Sequence, residues 1–208
     1  MARATTPPRY ALVGGRLCLD FCNTARDRGG SARDRLTGYS ELVGWSWQAG
    51  IFGAEEAVRL RQAARRGPTD KVAVFRRAVK LRKALYDVFA SAAGGRTPPP
   101  AALEVLNSEL GRAMARSQVV TAEGGFTWVW EESGRALDSM LWPIARSAAD
   151  LLTSAELTTV RQCRGSGCGW LFLDTSRNRT RRWCDMRVCG NRAKARRHHE
   201  RARAAGAA

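Results

Sequence analysis

The sequence predicts an α+β protein with a mainly helical N-terminal domain that carries a small antiparallel sheet, followed by a treble-clef-like four-cysteine module made of a hairpin and a basic helix. Three observations lead to this fold class. Apolar residues recur at spacings of three and four through much of residues 39–152, aromatic residues alternate after a Glu-Gly-Gly turn, and two equally spaced cysteine pairs lie near the C-terminus. Because 208 residues suffice for one full domain and a small appended one, we predict domains at 1–157 and 158–208.

The first part of the chain is predicted to be irregular at its start and helical thereafter. Residues 10–24 indicate a short strand, a turn at Gly14-Gly15 and a short apolar helix, and an Arg/Asp/Gly-rich loop follows at 26–35. Apolar periodicity then predicts three helices, at Tyr39–Ala49, Ala54–Arg66 and about Asp70–Ala93.

Residues 94–152 are predicted to contain a loop, a helix, a β-hairpin and a final helix. A Gly-Gly and Pro-Pro-Pro loop at 94–100 ends the long helix, and Leu103 to Met114 begins another apolar stripe. Alternating residues predict a hairpin of Ser117–Ala122 and Phe126–Glu131, with the strand near residue 10 as a candidate third strand. A final helix is expected from about Arg135 to Leu152, bent at Pro143.

Four cysteines form two pairs, each with four intervening residues, and fifteen residues separate the pairs: Cys163, Cys168, Cys184 and Cys189. In a reducing cytosol such pairs are typical of zinc knuckles rather than disulfides, and Gly165 and Gly167 give the first turn backbone freedom. Since sulfur fills all four positions, we expect one structural Zn²⁺ with no open position for chemistry. The alternative is four reduced, unligated core residues.

The segment between the cysteine pairs is predicted to form the hairpin of this module. Gly169–Asp174 and Arg179–Trp183 indicate two short strands joined by a polar turn, with Trp170, Phe172 and Trp183 as a miniature core. Cys189 is expected at the start of the last helix, where the helix dipole favours a thiolate.

Basic residues concentrate in this C-terminal module. The chain has a formal net charge of +16, and residues 161–208 hold 13 Lys/Arg against three Asp/Glu, a net +10. Clustered cations of this kind favour a polyanionic partner, although a solvated charged face is the alternative. The candidate nucleic-acid contacts are Arg177, Arg179, Arg181, Arg182, Arg192, Lys194, Arg196, Arg197 and Arg201.

Two clusters near the N-terminus have competing interpretations. Cys18 and Cys22 lie one helical turn apart, and we expect both to be small buried residues. Asp20, Asn23 and Thr24 are candidates for binding a small molecule, but capping and turn hydrogen bonds explain such residues more simply. With no catalytic pairing or phosphate loop in the sequence we expect no enzyme, and with no long apolar run we expect a soluble, cytosolic protein without a membrane partner.

The C-terminal module resembles the CGNR zinc finger, and the preceding region resembles the ABATE domain; together the resemblance covers nearly the whole chain. The finger's motif residues are Trp170–Asp174, Ser176–Asn178, Arg182–Cys184, Met186, Cys189–Arg192 and Lys194–Arg197. Those of the ABATE domain are Gly14-Gly15, Leu19–Phe21, Asn23-Thr24, Leu141–Pro143 and Ser147–Leu152.

This resemblance implies a bacterial, stress-induced transcription regulator whose finger binds zinc and double-stranded DNA, at the nucleoid within the cytoplasm. The N-terminal domain would then sense a signal, such as a small-molecule effector, or form a homodimer. Two alternatives stay open: an RNA- or protein-binding zinc module, and a small-molecule sensor without direct DNA contact.

Overall fold

The computed structural model describes residues 10–25, 34–131 and 136–205. The loop predicted at 26–35 therefore lies mostly outside the described residues, as does Arg135. The elements in chain order are α1 (Leu17–Cys22), α2 (Tyr39–Gln48), α3 (Ala54–Arg66), α4 (Pro68–Ala93), α5 (Pro100–Met114), β1 (Ser117–Ala122), β2 (Gly125–Trp130), α6 (Leu141–Leu152), β3 (Val160–Gln162), β4 (Leu171–Leu173) and α7 (Asn191–Ala205).

Helix α4 is the centre of the helical body, because α1, α2, α3 and α5 all pack against it. Its predicted apolar stripe is confirmed: Val74, Ala78, Leu81 and Leu85 are buried. Pro68 occupies the first turn, where a missing N–H costs no intrahelical hydrogen bond, and the helix ends before Gly94. A single 26-residue helix thus organises most of the core.

The short helix α1 is almost wholly internal. Cys18, Leu19, Phe21 and Cys22 are fully buried, and the Phe21 ring lies 5.1 Å from that of Trp45. The expectation that both cysteines are buried is confirmed. Because α1 contacts α4, α6 and β4, it joins the body to the C-terminal module.

The hairpin predicted from alternating residues is confirmed as β1–β2. The strands pair antiparallel from Ser117↔Trp130 to Ala122↔Gly125, around a turn in which Gly124 has a φ of 79°. The predicted third strand at residues 10–13 is wrong: this segment is irregular, although the Gly14 carbonyl accepts a hydrogen bond from Leu173 N–H. The sheet therefore has two strands within the described residues.

Helix α6 begins later than its apolar pattern predicts. Residues 136–140 form turns, and the helix itself runs from Leu141. Pro143 consequently lies in the first helical turn, where proline is tolerated, instead of bending the middle of a longer helix. Within the described residues, no helix combines the length and apolar character needed to cross a membrane.

The C-terminal hairpin forms from different strands than the sequence predicts. Leu171–Leu173 is a strand as expected, but it pairs with Val160–Gln162, and residues 179–183 contain no strand. Val160, Leu171 and Leu173 belong to the same buried cluster as the helical body. The first half of the module is thus built into the main core, and only its metal-facing end stands apart.

Candidate metal centre and nucleic-acid interface

The four cysteines of the predicted site come together at the tip of the β3–β4 hairpin. Their sulfur atoms all lie within 4.8 Å of one another, and Cys184 Sγ is 3.7 Å from both Cys168 Sγ and Cys189 Sγ. Four sulfurs arranged tetrahedrally at a Zn–S distance of 2.3 Å would be separated by about 3.8 Å. All four residues are buried and none forms a disulfide. The arrangement fits one zinc ion.

The first cysteine pair is shaped by the hairpin and by two glycines. Cys163 N–H donates to the Trp170 carbonyl at 2.7 Å, which closes the end of the strand ladder, and Cys168 N–H donates to the Gly165 carbonyl at 3.0 Å. Gly167 has a φ of 71°, a conformation that favours glycine. A Cβ at Gly165 would lie 3.1 Å from Cys189 Sγ, so a side chain there would crowd the sulfur cluster.

The second pair is positioned by Asp185, a residue that the sequence analysis missed. Its carboxylate Oδ1 accepts hydrogen bonds from Arg187 N–H at 2.6 Å and Val188 N–H at 3.2 Å. These bonds begin a π-type turn at Met186–Gly190, which contains Cys189 and precedes α7 directly. Cys189 therefore lies just before the helix rather than in its first turn. The aspartate immediately after Cys184 was the available signal, since aspartate is a preferred cap.

The electrostatics of the cluster suit a divalent cation. The Cys163 sulfur accepts N–H groups from Gly165 at 3.4 Å and Cys184 at 3.3 Å, and contacts with the Cys168 and Cys184 thiols lower the pKa of Cys163. The hydrogen bond to the Cys163 sulfur in turn raises the pKa of Cys168, because it favours the protonated thiol, and burial raises that pKa further. Four sulfurs at these distances can ligate one cation, and Zn²⁺ accepts four sulfur ligands.

A small apolar shell surrounds the sulfur atoms. Phe172 is fully buried among the four cysteines, with Trp170 and Trp183 packed beside them, as the sequence predicts. Trp170 also donates its indole N–H to the Ala25 carbonyl at 3.2 Å. The ring that covers the metal site is therefore tied to the helical body.

Arg181, predicted as a nucleic-acid contact, instead makes internal bonds. Its guanidinium lies 4.6 Å from the Phe172 ring, donates to the Trp183 carbonyl at 2.9 Å and also donates to the Cys184 carbonyl. Asp174, which is buried, accepts Arg181 N–H at 2.9 Å and Ser176 N–H at 3.0 Å. Sequence reasoning missed Asp174, although an aspartate two residues before a serine is a known turn signal.

The remaining candidate contacts are exposed in two segments of the C-terminal module. Arg177, Arg179 and Arg182 lie in the segment between β4 and the second cysteine pair. Five more lie on α7: Arg192, Lys194, Arg196, Arg197 and Arg201.

Helix α7 has almost no apolar face. Ala193 is buried, whereas residues 194–203 are all exposed. Its one acidic residue, Glu200, lies 3.9 Å from Arg196, and Arg192 Nη2 lies 3.4 Å from Cys189 Sγ. With six Lys/Arg and one Glu, the helix has a net charge of +5.

The three polar residues of α1 and its C-terminal end make bonds within the protein. Asp20 Oδ1 accepts Gly14 N–H at 2.8 Å, and Thr24 Oγ1 donates to the Phe21 carbonyl at 2.7 Å. Asn23 bonds both backbone groups of Leu171, donating to its carbonyl at 2.8 Å and accepting its N–H at 2.9 Å. These bonds favour the capping interpretation, and they show that Asn23 holds the C-terminal hairpin.

Comparison with protein-family models gives two matches. The ABATE model, described as "Putative stress-induced transcription regulator", matches residues 15–155, and the model of the CGNR zinc finger matches residues 159–202. The search of curated proteins found no match. The sulfur geometry and the finger match agree, so the four cysteines are the ligands of one structural Zn²⁺.

Proposed function

The chain belongs to the ABATE family and contains a CGNR zinc finger, and on this premise we propose that it is a transcription regulator that binds duplex DNA through α7. The observation that carries the proposal is the exposed surface of this helix. It is cationic and lacks an apolar stripe that could pack on the protein. A helix surface of net charge +5 without an apolar stripe attracts polyanions, and the polyanion that we propose is duplex DNA.

The metal centre supports this role by fixing where the helix begins. The π-type turn at Met186–Gly190 places a zinc ligand, Cys189, immediately before α7. Since the helix has little packing of its own, its direction depends on this attachment. We propose that zinc is required for DNA binding because it orients α7, while its four sulfur ligands leave no open position for catalysis.

The dimensions of α7 suit the major groove. Fifteen residues give a helix about 22 Å long, and its diameter of about 10–12 Å matches a groove about 12 Å wide. Arg177, Arg179 and Arg182 lie on the neighbouring segment and would add phosphate contacts from a second direction. Phosphate contacts supply affinity and position the helix, whereas base-edge contacts supply specificity.

We further propose that the helical body regulates and does not catalyse. Both histidines of the sequence, His198 and His199, lie exposed on α7. In the body, the buried carboxylate Glu109 and its neighbour Asp138 are paired with Arg77 at 2.6 and 3.0 Å, which is the arrangement of a structural ion network. The proposed role of the body is to sense a signal or to bring two fingers together.

The test is a salt titration of duplex binding by fluorescence anisotropy, with zinc-loaded protein at one zinc per chain. The variant Lys194→Gln/Arg197→Gln/Arg201→Gln should bind more weakly, and its slope of log K against log salt should fall by roughly 2.7, or 0.9 per lost phosphate contact. The matched control, Arg61→Gln/Arg65→Gln/Arg66→Gln on α3, removes the same charge from another helix and should change the slope much less.

Two results would overturn this proposal. Equal losses in the α7 variant and the α3 control would mean that net charge alone drives binding. A structured RNA that displaces the duplex DNA at equal concentration would instead identify an RNA-binding zinc module.

A further inference from the structure

The β1–β2 hairpin projects from the body with most of its surface exposed. None of its twelve strand residues is buried, and among the described residues neither strand pairs with a third. An isolated two-stranded hairpin is marginally stable in water, and exposed apolar patches on soluble proteins commonly mark interaction sites. The composition of this hairpin therefore indicates a contact with another molecule.

The strand register collects the apolar side chains on one face. Val119 pairs with Trp128 and Thr121 with Phe126, so Val119, Phe126 and Trp128 project to the same side of the sheet. Their exposed fractions are 55%, 78% and 49%. Trp130, on the same side, lies at the base with its ring 6.1 Å from that of Trp142. The face is anchored at its base and open toward its tip.

The net charge of this hairpin is opposite in sign to that of the whole chain. Residues 117–131 contain two glutamates and no lysine or arginine, within a chain of net charge +16. A nucleic acid is therefore a poor occupant. A second copy of the chain can approach through the hairpin, because this segment carries none of the positive charge that repels two copies elsewhere.

We infer that the aromatic face of β1–β2, defined by Val119, Phe126 and Trp128, is a homodimer interface that packs against the same face of a second copy. A twofold axis between the hairpins brings the turn of each copy toward the base of the other. Glu123 lies at the turn, and the Arg146 guanidinium lies 4.8 Å from the Trp128 ring nearer the base. The Arg146 guanidinium is also paired with Asp150 at 3.0 Å, so the base of the face is nearly neutral and does not repel Glu123 of the second copy.

The surface area that the two aromatic faces can bury limits the affinity of this dimer. Each aromatic side chain can bury about 150–250 Å². Because these side chains are already 22–51% buried in one copy, two rings and a valine from each copy with the adjoining backbone bring the total to roughly 700–1,000 Å², at or below the lower limit for a specific interface. An interface of this size is typical of weak, reversible association, and such a dimer would hold two fingers in one complex.

The test is sedimentation velocity of the full-length, zinc-loaded protein without DNA, from about 1 to 200 μM. The wild type should shift from 22.8 kDa toward twice that mass as concentration rises. Phe126→Ser/Trp128→Ser should raise the dissociation constant at least tenfold while leaving the far-UV circular dichroism unchanged. The matched control is Val129→Ser, which lies on the opposite face of the same strand and should dimerise like the wild type.

Three outcomes would overturn the inference: a wild type that stays monomeric at 200 μM, a dimer that survives the double substitution, or equal disruption by Val129→Ser. Because no DNA is present, the result is independent of the proposed DNA binding.

Discussion

The two hairpins of this protein are held in opposite ways. The β1–β2 hairpin has two six-residue strands joined by a short glycine turn, and all of its strand residues are at least partly exposed. The β3–β4 hairpin has two three-residue strands, yet all of β4 is buried. The long hairpin is stabilised by pairing within itself, whereas the short one depends on its surroundings.

The surroundings of the β3–β4 hairpin include hydrogen bonds with residues of the helical body. Asn23 bonds both backbone groups of Leu171, Gly14 accepts Leu173 N–H, and the Tyr86 hydroxyl donates to the Gly169 carbonyl at 3.2 Å. The cysteine cluster closes the other end. Strand length therefore says little about which hairpin is central, because the short β3–β4 hairpin is built into the core whereas the long β1–β2 hairpin stays exposed.

Removing the metal should have the largest effect on the stability of the β3–β4 hairpin and the zinc finger. Cys184→Ser leaves three sulfurs, and binding free energies of structural zinc reach about 10–16 kcal/mol in small modules, so the finger should lose its metal and α7 its helicity. Because β3–β4 shares the main core, the melting temperature of the whole chain should also fall. Zinc content and circular dichroism measure both effects.

The control for that experiment is Cys22→Ala, which alters a buried cysteine outside the cluster. It should retain one zinc per chain. A Cys184→Ser protein that still binds one zinc tightly would contradict the assignment of the four ligands.

A matched pair of phenylalanine substitutions tests the two hairpins directly. Phe172→Ala removes a fully buried ring beside the cysteines and should lower the free energy of unfolding by about 3–5 kcal/mol. Phe126→Ala removes a ring that is 78% exposed and should change it by less than about 0.5 kcal/mol. Urea denaturation at low protein concentration provides both values. Similar losses at the two positions would show that the hairpins do not differ as described.

Removing the contact between Asn23 and Leu171 should cause the next largest loss in the free energy of unfolding. Asn23→Ala leaves a buried N–H and a buried carbonyl without their partner, which should cost about 2–4 kcal/mol of unfolding free energy. The measurement is urea denaturation of the zinc-loaded protein. Thr121→Ala on the exposed hairpin serves as the control and should be nearly neutral. A neutral Asn23→Ala would mean that packing alone docks the short hairpin.

The smallest effect concerns pH and Asp20, which accepts Gly14 N–H next to the docked strand. Burial raises the pKa of Asp20 to about 6, and hydrogen bonds from the Gly14 and Val13 backbone only partly oppose this. Since the folded-state pKa lies above the unfolded value, the folded protein holds the proton more tightly. Ionisation of Asp20 therefore lowers stability as the pH rises from about 4 to about 6.

Asp20→Asn removes this titration and keeps an acceptor for Gly14 N–H. Its unfolding free energy relative to the wild type should increase by about 1–3 kcal/mol between pH 4 and pH 7. Taking the difference between the two proteins cancels the common acid sensitivity of the zinc site. A difference that stays constant with pH would show that Asp20 is ionised throughout the range.

Much of the architecture is determined by local sequence. The helix over Ala54–Arg66, the buried stripe of α4 and the β1–β2 hairpin follow from periods of about 3.6 and 2 residues, because each element's own side chains encode the face that it buries. The four zinc ligands follow from cysteine spacing, since two close pairs are typical of a structural four-sulfur zinc site. The exposed cations of α7 follow from composition.

Other features were decided only by the tertiary structure. Three residues, Val160–Gln162, are too few to show a period, so their pairing with β4 depends on the core that both strands enter. The side chain of Arg181 resembles its neighbours in sequence, yet contact with Phe172 and the Cys184 carbonyl directs it inward. From the sequence, Asn23 is an ordinary capping residue. Only the fold places Leu171 within hydrogen-bond distance of its side chain. In each case the contacting residue lies in another part of the chain. A local sequence pattern cannot encode such a contact, because its energy depends on the folded positions of both residues.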